Sequence, residues 1–241
     1  MSFDTLQRYL FNQANVRGEM VQLQASYQAI LDAYDYPTVI QHLLGELMAA
    51  TALLNATLKF EGEIGLQIQS EGVVKYAVIN GTHDLHLRGV ARWDETLDAL
   101  PDDFSALFEK GYLVITITPK EGERYQGIVG LDKPNLAECI ETYFLQSEQL
   151  ATQVRLFARS GEVPMAGGTL LQILPTSAEA TNVTETTEFG HLSTLTDTLT
   201  AEELFSLPAQ DVLYRLYHQE EVEVFTPAHV SFECQCSREK T

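Results

Sequence analysis

The spacing of apolar and polar positions changes along the chain, and each change marks an element. After Asp4, a competent N-cap, Leu6, Tyr9 and Leu10 stand at helical spacing and predict a short helix. An Arg17-Gly18-Glu19 turn and an extended segment with Val16, Val21 and Leu23 are expected next. Pro37 suits the first turn of a longer helix burying Ile40, Leu43, Leu44, Leu47, Met48 and Leu54, with Gly62 closing it off. The period then becomes two. Ile64, Leu66 and Ile68 alternate, Glu71-Gly72 turns, and Val74, Tyr76 and Val78 alternate again. Asn80-Gly81 gives a hairpin signal before Leu85, Leu87 and Val90, so this stretch reads as an antiparallel meander.

Phe104, Leu107 and Phe108 make a helical turn, and the strands Tyr112 to Thr118 and Tyr125 to Leu131 form a second hairpin about Glu121-Gly122-Glu123. Asn135 and Glu138 have capping-box spacing, and Leu136, Cys139, Ile140, Tyr143 and Phe144 continue one helical face. Cys139 on that face reads as an inert core thiol. Val154 to Ala158 and Leu170 to Leu174 complete the sheets, with Gly167-Gly168 at a turn. The fold class expected is α+β, antiparallel sheets packed with helices, over residues 1–175.

Beyond Pro175 the composition shifts: residues 175–233 hold eleven acidic residues and one basic, Arg215. Residues 176–190 read as an acidic linker and 191–232 as a small helical region with short strands. Thr200 and Glu203 have capping-box spacing, and Pro208 can start a helix carrying Val212, Leu213, Leu216 and Tyr217. Val222 to Phe225 and Val230 to Phe232 are expected to pair with each other and lead into Cys234.

Composition narrows the function classes. A net charge of −19 over 241 residues argues against nucleic-acid binding, which needs Lys and Arg against phosphates, and equally against an anionic membrane. Residues 1–11 have no apolar signal core, and the most apolar stretch, 43–58, is interrupted by Gly45, Glu46, Thr51 and Asn55. A soluble cytoplasmic protein is expected. The chain lacks a phosphate-binding glycine loop, a dinucleotide fingerprint, a nucleophile elbow and a His-Glu-x-x-His helix, so the common nucleotide-driven and hydrolytic chemistries lose support.

What remains is the terminal Cys234-Gln235-Cys236. Two thiolates at this spacing supply two corners of a tetrahedral zinc site, which needs four ligands. Alternatively they pair with each other. Across an extended backbone their Cα atoms would lie about 6.5 Å apart, from the ~3.3 Å rise per residue, so such a disulfide is strained and suits a switch better than a staple. His83, His86 and His229 are conceivable ligands, but each is more simply a polar turn or strand residue.

Several motifs in order give the chain a specific resemblance. They are Arg8-Tyr9-Leu10-Phe11, Val16-Arg17-Gly18-Glu19, Ala56-Thr57-Leu58-Lys59-Phe60, Arg88-Gly89-Val90-Ala91-Arg92 and Gly122-Glu123-Arg124-Tyr125-Gln126-Gly127. Tyr143-Phe144, Ser147-Glu148-Gln149-Leu150, Ala166-Gly167-Gly168 and the terminal Cys-x-Cys follow. Over its whole length the sequence resembles the redox-switched heat-shock chaperones, the thirty-three-kilodalton chaperonin family.

The resemblance implies an ATP-independent holdase, not an enzyme, that binds unfolded or partly folded client proteins under heat or oxidative stress. It implies an α+β domain, a helical linker and a zinc domain beginning at 233, in which Cys234 and Cys236 are two of four zinc ligands in the reduced, inactive state. Oxidation would join the two as a disulfide and release the zinc. The family's completing Cys-x-x-Cys is missing here, so this chain is expected to end within a truncated zinc domain, to bind zinc weakly or not at all, and to act largely independently of oxidation. Leu204, Phe205, Leu207, Leu213, Leu216 and Tyr217 are the client-binding candidates, packed inside the molecule at rest. A homodimer with exchange of the linker is expected. A thiol-disulfide oxidoreductase using Cys234 and Cys236, or a plain interaction module, are the alternatives.

Overall fold

The computed structural model describes residues 3–58, 61–174 and 186–233. In chain order come β1 (Thr5–Phe11), β2 (Val16–Leu23), α1 (Ala25–Leu31) and α2 (Thr38–Thr57), then β3 (Gly62–Gln69), β4 (Val74–Thr82) and β5 (His86–Trp93). Next are α3 (Phe104–Leu107), β6 (Tyr112–Pro119), β7 (Tyr125–Gly130) and α4 (Leu136–Tyr143), which runs into a π-helical turn over Phe144–Glu148. The chain continues with β8 (Thr152–Arg159) and β9 (Met165–Ile173), then α5 (Thr187–Asp197), α6 (Ala201–Ser206) and α7 (Ala209–Tyr217). Three two-residue strands finish it: β10 (Glu223–Val224), β11 (Ala228–His229) and β12 (Ser231–Phe232).

The organising element is α2. Its sequence is mostly apolar, with few polar positions beyond its first turns, as suits a helix buried between two layers, and it packs on β2, β8 and β9 on one side and on β3, β4 and β5 on the other. Length and hydropathy alone would let it cross a bilayer, but 72% of its most apolar window is buried inside the protein. The two partners are separate sheets. The first runs β10-β1-β2-β9-β8, with β11 also on β1; the second runs β12-β5-β4-β3-β6-β7. Every pairing is antiparallel except β12 on β5.

The α+β class, the long helix, the meander and the capped α4 are as expected. Several local expectations are not. Residues 5–11 form a strand, and Leu6 faces α2 while Tyr9 and Phe11 face the opposite side of the sheet. Asp4, at φ 66°, does cap a helix, but α1: its carboxylate accepts from the N–H groups of Gln24, Ala25 and Ser26 at 3.1, 2.9 and 2.8 Å.

Arg17-Gly18-Glu19 lies inside β2, not at a turn; glycine is needed because a Cβ there would stand 2.1 Å from the Tyr9 ring. Asn80-Gly81 lies inside β4, and the reversal comes at 83–85, where buried Leu85 takes φ 61°. Gly167-Gly168 lies inside β9. The last strands do not pair with each other: β10 and β11 edge β1, and β12 edges β5. Helix α5 begins at Thr187, within the span expected to be linker, while 175–185 lie outside the described residues.

Candidate functional site

The first sheet is covered on both faces. Opposite α2, Tyr9, Phe11, Val16, Met20, Met165, Leu171 and Ile173 present a second apolar surface, and α5, α6 and α7 close over it. Each helix has a readable local cause. The Thr186 hydroxyl caps α5 by accepting from Phe189 N–H, Thr200 and Glu203 form a full capping box on α6, and Pro208 precedes α7. Asp211 and Arg215 sit at the ends of α7 that suit their charges.

All six client-binding candidates are in this layer. Leu204, Phe205, Leu213, Leu216 and Tyr217 are buried in the second core and Leu207 packs against it half-buried, so at rest they are intramolecular packing, as expected. The Tyr217 ring meets Phe11 edge-on at 4.9 Å and Tyr9 at 5.9 Å, and Arg159 lies 5.4 Å over Phe205.

The seam between sheet and helices is unusually polar for a core. The Gln22 amide donates to Leu204 O and Leu207 O at 2.5 and 2.8 Å, and the Tyr217 and Thr196 hydroxyls bond at 2.6 Å. Gln153 donates to Ser193 O and Asp197 Oδ1, and Arg155 pairs with Asp197 at 3.3 Å. Four buried atoms here have no hydrogen-bond partner among the described residues: Tyr9 Oη, Gln153 Oε1, Ser193 Oγ and Thr169 Oγ1, the last between Gly167 and Leu171 on the helix-facing side of β9. Burial and then the neighbouring Tyr217 push the Tyr9 pKa well above its ordinary value. The other two unpartnered atoms, Arg17 Nε and Glu19 Oε2, lie on the α2 side. Burial pushes Glu19 up to about 7 against the pull of Arg17 and Arg8.

From α7 the chain returns as a strap. Phe225 N–H bonds Arg8 O at 3.0 Å and Val230 N–H bonds Asp4 O at 2.9 Å. Ser231 and Glu233 N–H groups then bond Leu85 O and Leu87 O, both at 3.1 Å. His86 Nδ1 lies 2.7 Å from Ser231 Oγ and 3.6 Å from Glu233 Oε2, so the residue before Cys234 is held at the edge of β5. Cys234 and Cys236 themselves lie outside the described residues.

The described cysteine and histidines stand apart from one another. The third cysteine, Cys139, is buried in the main core with its thiol pKa raised by burial, His83 lies beside Asp84, and His229 is exposed on β11. Among the described residues no three His, Cys, Asp or Glu side chains are grouped to hold a metal.

The sheet half of the seam, Gln22 above all, was not evident in the sequence. The signal available was β2, which is buried on both faces and shows no alternation.

Comparison with known proteins gives one answer. The profile of the family described as Hsp33 protein matches residues 4–241. The 33 kDa chaperonin of Pseudoalteromonas atlantica is 68% identical over 242 residues, covering 100% of this chain and 81% of the relative. That of Shewanella sediminis is 56% identical over 241 residues, with the same coverage. The crystal structure of the 33 kDa chaperonin from Thermotoga maritima superposes with a TM-score of 0.79 at 20% identity, covering 98% of this chain and 82% of that one, a likeness of fold.

Proposed function

This chain belongs to the Hsp33 family, and on that premise we propose that it is a chaperone that holds unfolding proteins without ATP, using the apolar surfaces now closed between the first sheet and α5–α7. The observation that carries the reading is the build of that layer. Its helices are 11, 6 and 9 residues long, below the length at which isolated helices persist, so docking holds them folded. Helix α5 adds Thr187, Gly190, Ser193, Thr194 and Thr196, all poor helix formers. Four polar atoms of the seam without a partner among the described residues gain water on opening. Heat thus releases this layer before it disturbs α2.

Once open, the sheet and helices offer sixteen side chains that are buried at rest, a surface far larger than the few hundred Å² a soluble monomer ordinarily exposes. The acidic residues around it keep a client complex soluble through charge repulsion. Cys234 and Cys236, next to the strap, are the residues through which oxidation would act: peroxide takes two electrons from the thiols, leaving their disulfide and water. We also propose self-association through exchange of α5–α7 between two copies.

The test is light scattering by a thermally aggregating client, without ATP, with the chain reduced and then peroxide-treated. Suppression without ATP is expected, and it is expected to rise after peroxide. No suppression in either state would overturn the holding function, and the same suppression in both states would overturn the role of Cys234 and Cys236 in controlling it.

A further inference from the structure

The far edge of the first sheet carries a second site. Strand β8 pairs only with β9 among the described residues. Successive residues of an antiparallel strand turn their backbone groups to opposite sides. Val154 turns outward, its N–H reaching the Glu141 carboxylate on α4 at 2.7 Å, so Leu156 two residues on turns its N–H and C=O outward as well. This edge is recessed. Helix α4 with its π-helical turn stands on one side and α5 on the other, enclosing a groove of about 1210 Å³ along β8. That exceeds the ~300–1,000 Å³ typical of small-molecule pockets. Its sides are apolar at Leu156, Phe157 and Phe189, and Leu145 at the rim is 65% exposed.

We propose that this groove takes an extended polypeptide segment as an added strand on β8, with the apolar residues at alternate positions of that segment packed against Leu145 on one side. The class of occupant follows from the recess. An added strand needs only the ~4.8 Å spacing of a sheet neighbour, whereas another folded sheet edge cannot enter between two helices. A second copy is excluded on the same ground, because its own β8 is flanked by the same helices. Glu141 marks the place: its oxygen sits where the carbonyl of a neighbouring strand would accept from Val154. Burial raises its pKa, so turning out to solvent relieves a desolvation penalty as the incoming strand replaces it. Strand β8 itself, TQVRLFAR, has no proline, and its two arginines are engaged elsewhere, Arg155 on Asp197 and Arg159 over Phe205. The inference rests on the holding function and deepens it: the groove exists with α5–α7 docked, so it gives an unfolding client a first contact before the layer opens.

The probe is an end-blocked, fluorescein-labelled octapeptide of alternating valine and serine, titrated with the intact chain and followed by anisotropy. The control is the same peptide methylated at every backbone nitrogen. Binding of the first peptide, weakened about tenfold by methylation and about tenfold by Leu145→Asp, is expected from the loss of one or two net contacts. Glu141→Ala, which clears the edge, is expected to tighten binding severalfold. Equal binding of the methylated peptide, indifference to Leu145→Asp, or no binding of the unmethylated peptide overturns the site. Client light scattering separates the two readings: a chain that suppresses aggregation but does not bind the peptide has lost only the groove. One that binds the peptide but suppresses nothing has lost only the holding function.

Discussion

Thr169→Val tests whether the polar seam sets how readily the helical layer opens. Thr169 is 1% exposed, its hydroxyl faces α5–α7, and it has no partner. Valine has nearly the same shape and is, like threonine, a good strand former, so it replaces an unsatisfied oxygen with a methyl and leaves the packing in place. An unsatisfied buried polar atom costs about 1–3 kcal/mol. The opened state moves the other way, since it would expose a methyl in place of a hydroxyl. Closing is therefore favoured by about 1–3 kcal/mol, and opening becomes about 5- to 150-fold rarer, at tenfold for each ~1.4 kcal/mol. Native-state amide hydrogen exchange reads this directly. Protection of Leu213, Leu216 and Tyr217 on α7 rises by that factor, while Leu44, Leu47 and Leu53 on α2 exchange as before. The onset temperature for client suppression rises with it. Unchanged or faster exchange on α7, or equal slowing on α2, would refute the idea that the seam's unpaired polar atoms favour release.

Other perturbations follow from the same geometry. Leu213→Asp puts a carboxylate into the second core and costs several kcal/mol, so it should leave the layer open at rest, seen as constitutive dye binding to apolar surface with α2 protection retained. Gly18→Val drives a side chain into the Tyr9 ring, where even a Cβ would come within 2.1 Å; a fall in melting temperature is expected, and an unchanged one would mean the ring moves freely. Glu19 has its folded pKa raised to about 7 by burial. Its contribution is thus fully present below the unfolded carboxylate range of about 4.3 and is lost as pH rises through about 7, by up to ~3 kcal/mol. Urea midpoints at pH 5 and 8 should differ less in Glu19→Gln than in the parent; an identical difference would show that Glu19 ionises without cost.

Much of the fold was legible because its causes are local. The apolar positions of α2, the alternation in β3 and β4, and the caps at Asn135 and Thr200 each sit within a few residues of what they determine. Strand β1 was misread because both of its faces are buried, by layers from different parts of the chain, so Leu6, Tyr9 and Leu10 fit helical spacing as well. The glycines at 81 and 167 looked like turns, but each serves a close approach, to the Leu87 side chain and to Val21 O. The helical half of the candidate surface was readable from the apolar face of α7. Its other half was not, because what Met20 or Leu171 faces comes from residues far away in the sequence. The strap strands are two residues each and carry no periodicity at all.

That strap has a topological consequence. The chain leaves the first sheet after Ile173 and rejoins it at Glu223 on β1, before crossing to β5 in the second sheet. The helical layer is therefore a closed excursion of roughly fifty residues, anchored at both ends, and not a free tail. Loop-closure entropy grows only slowly with length, about 0.6 kcal/mol per doubling, so an opened excursion pays little to return. Both landing strands remain in place as its template. Cutting the chain at the strap would turn a door on two hinges into a loose end, and opening would then cease to be readily reversible.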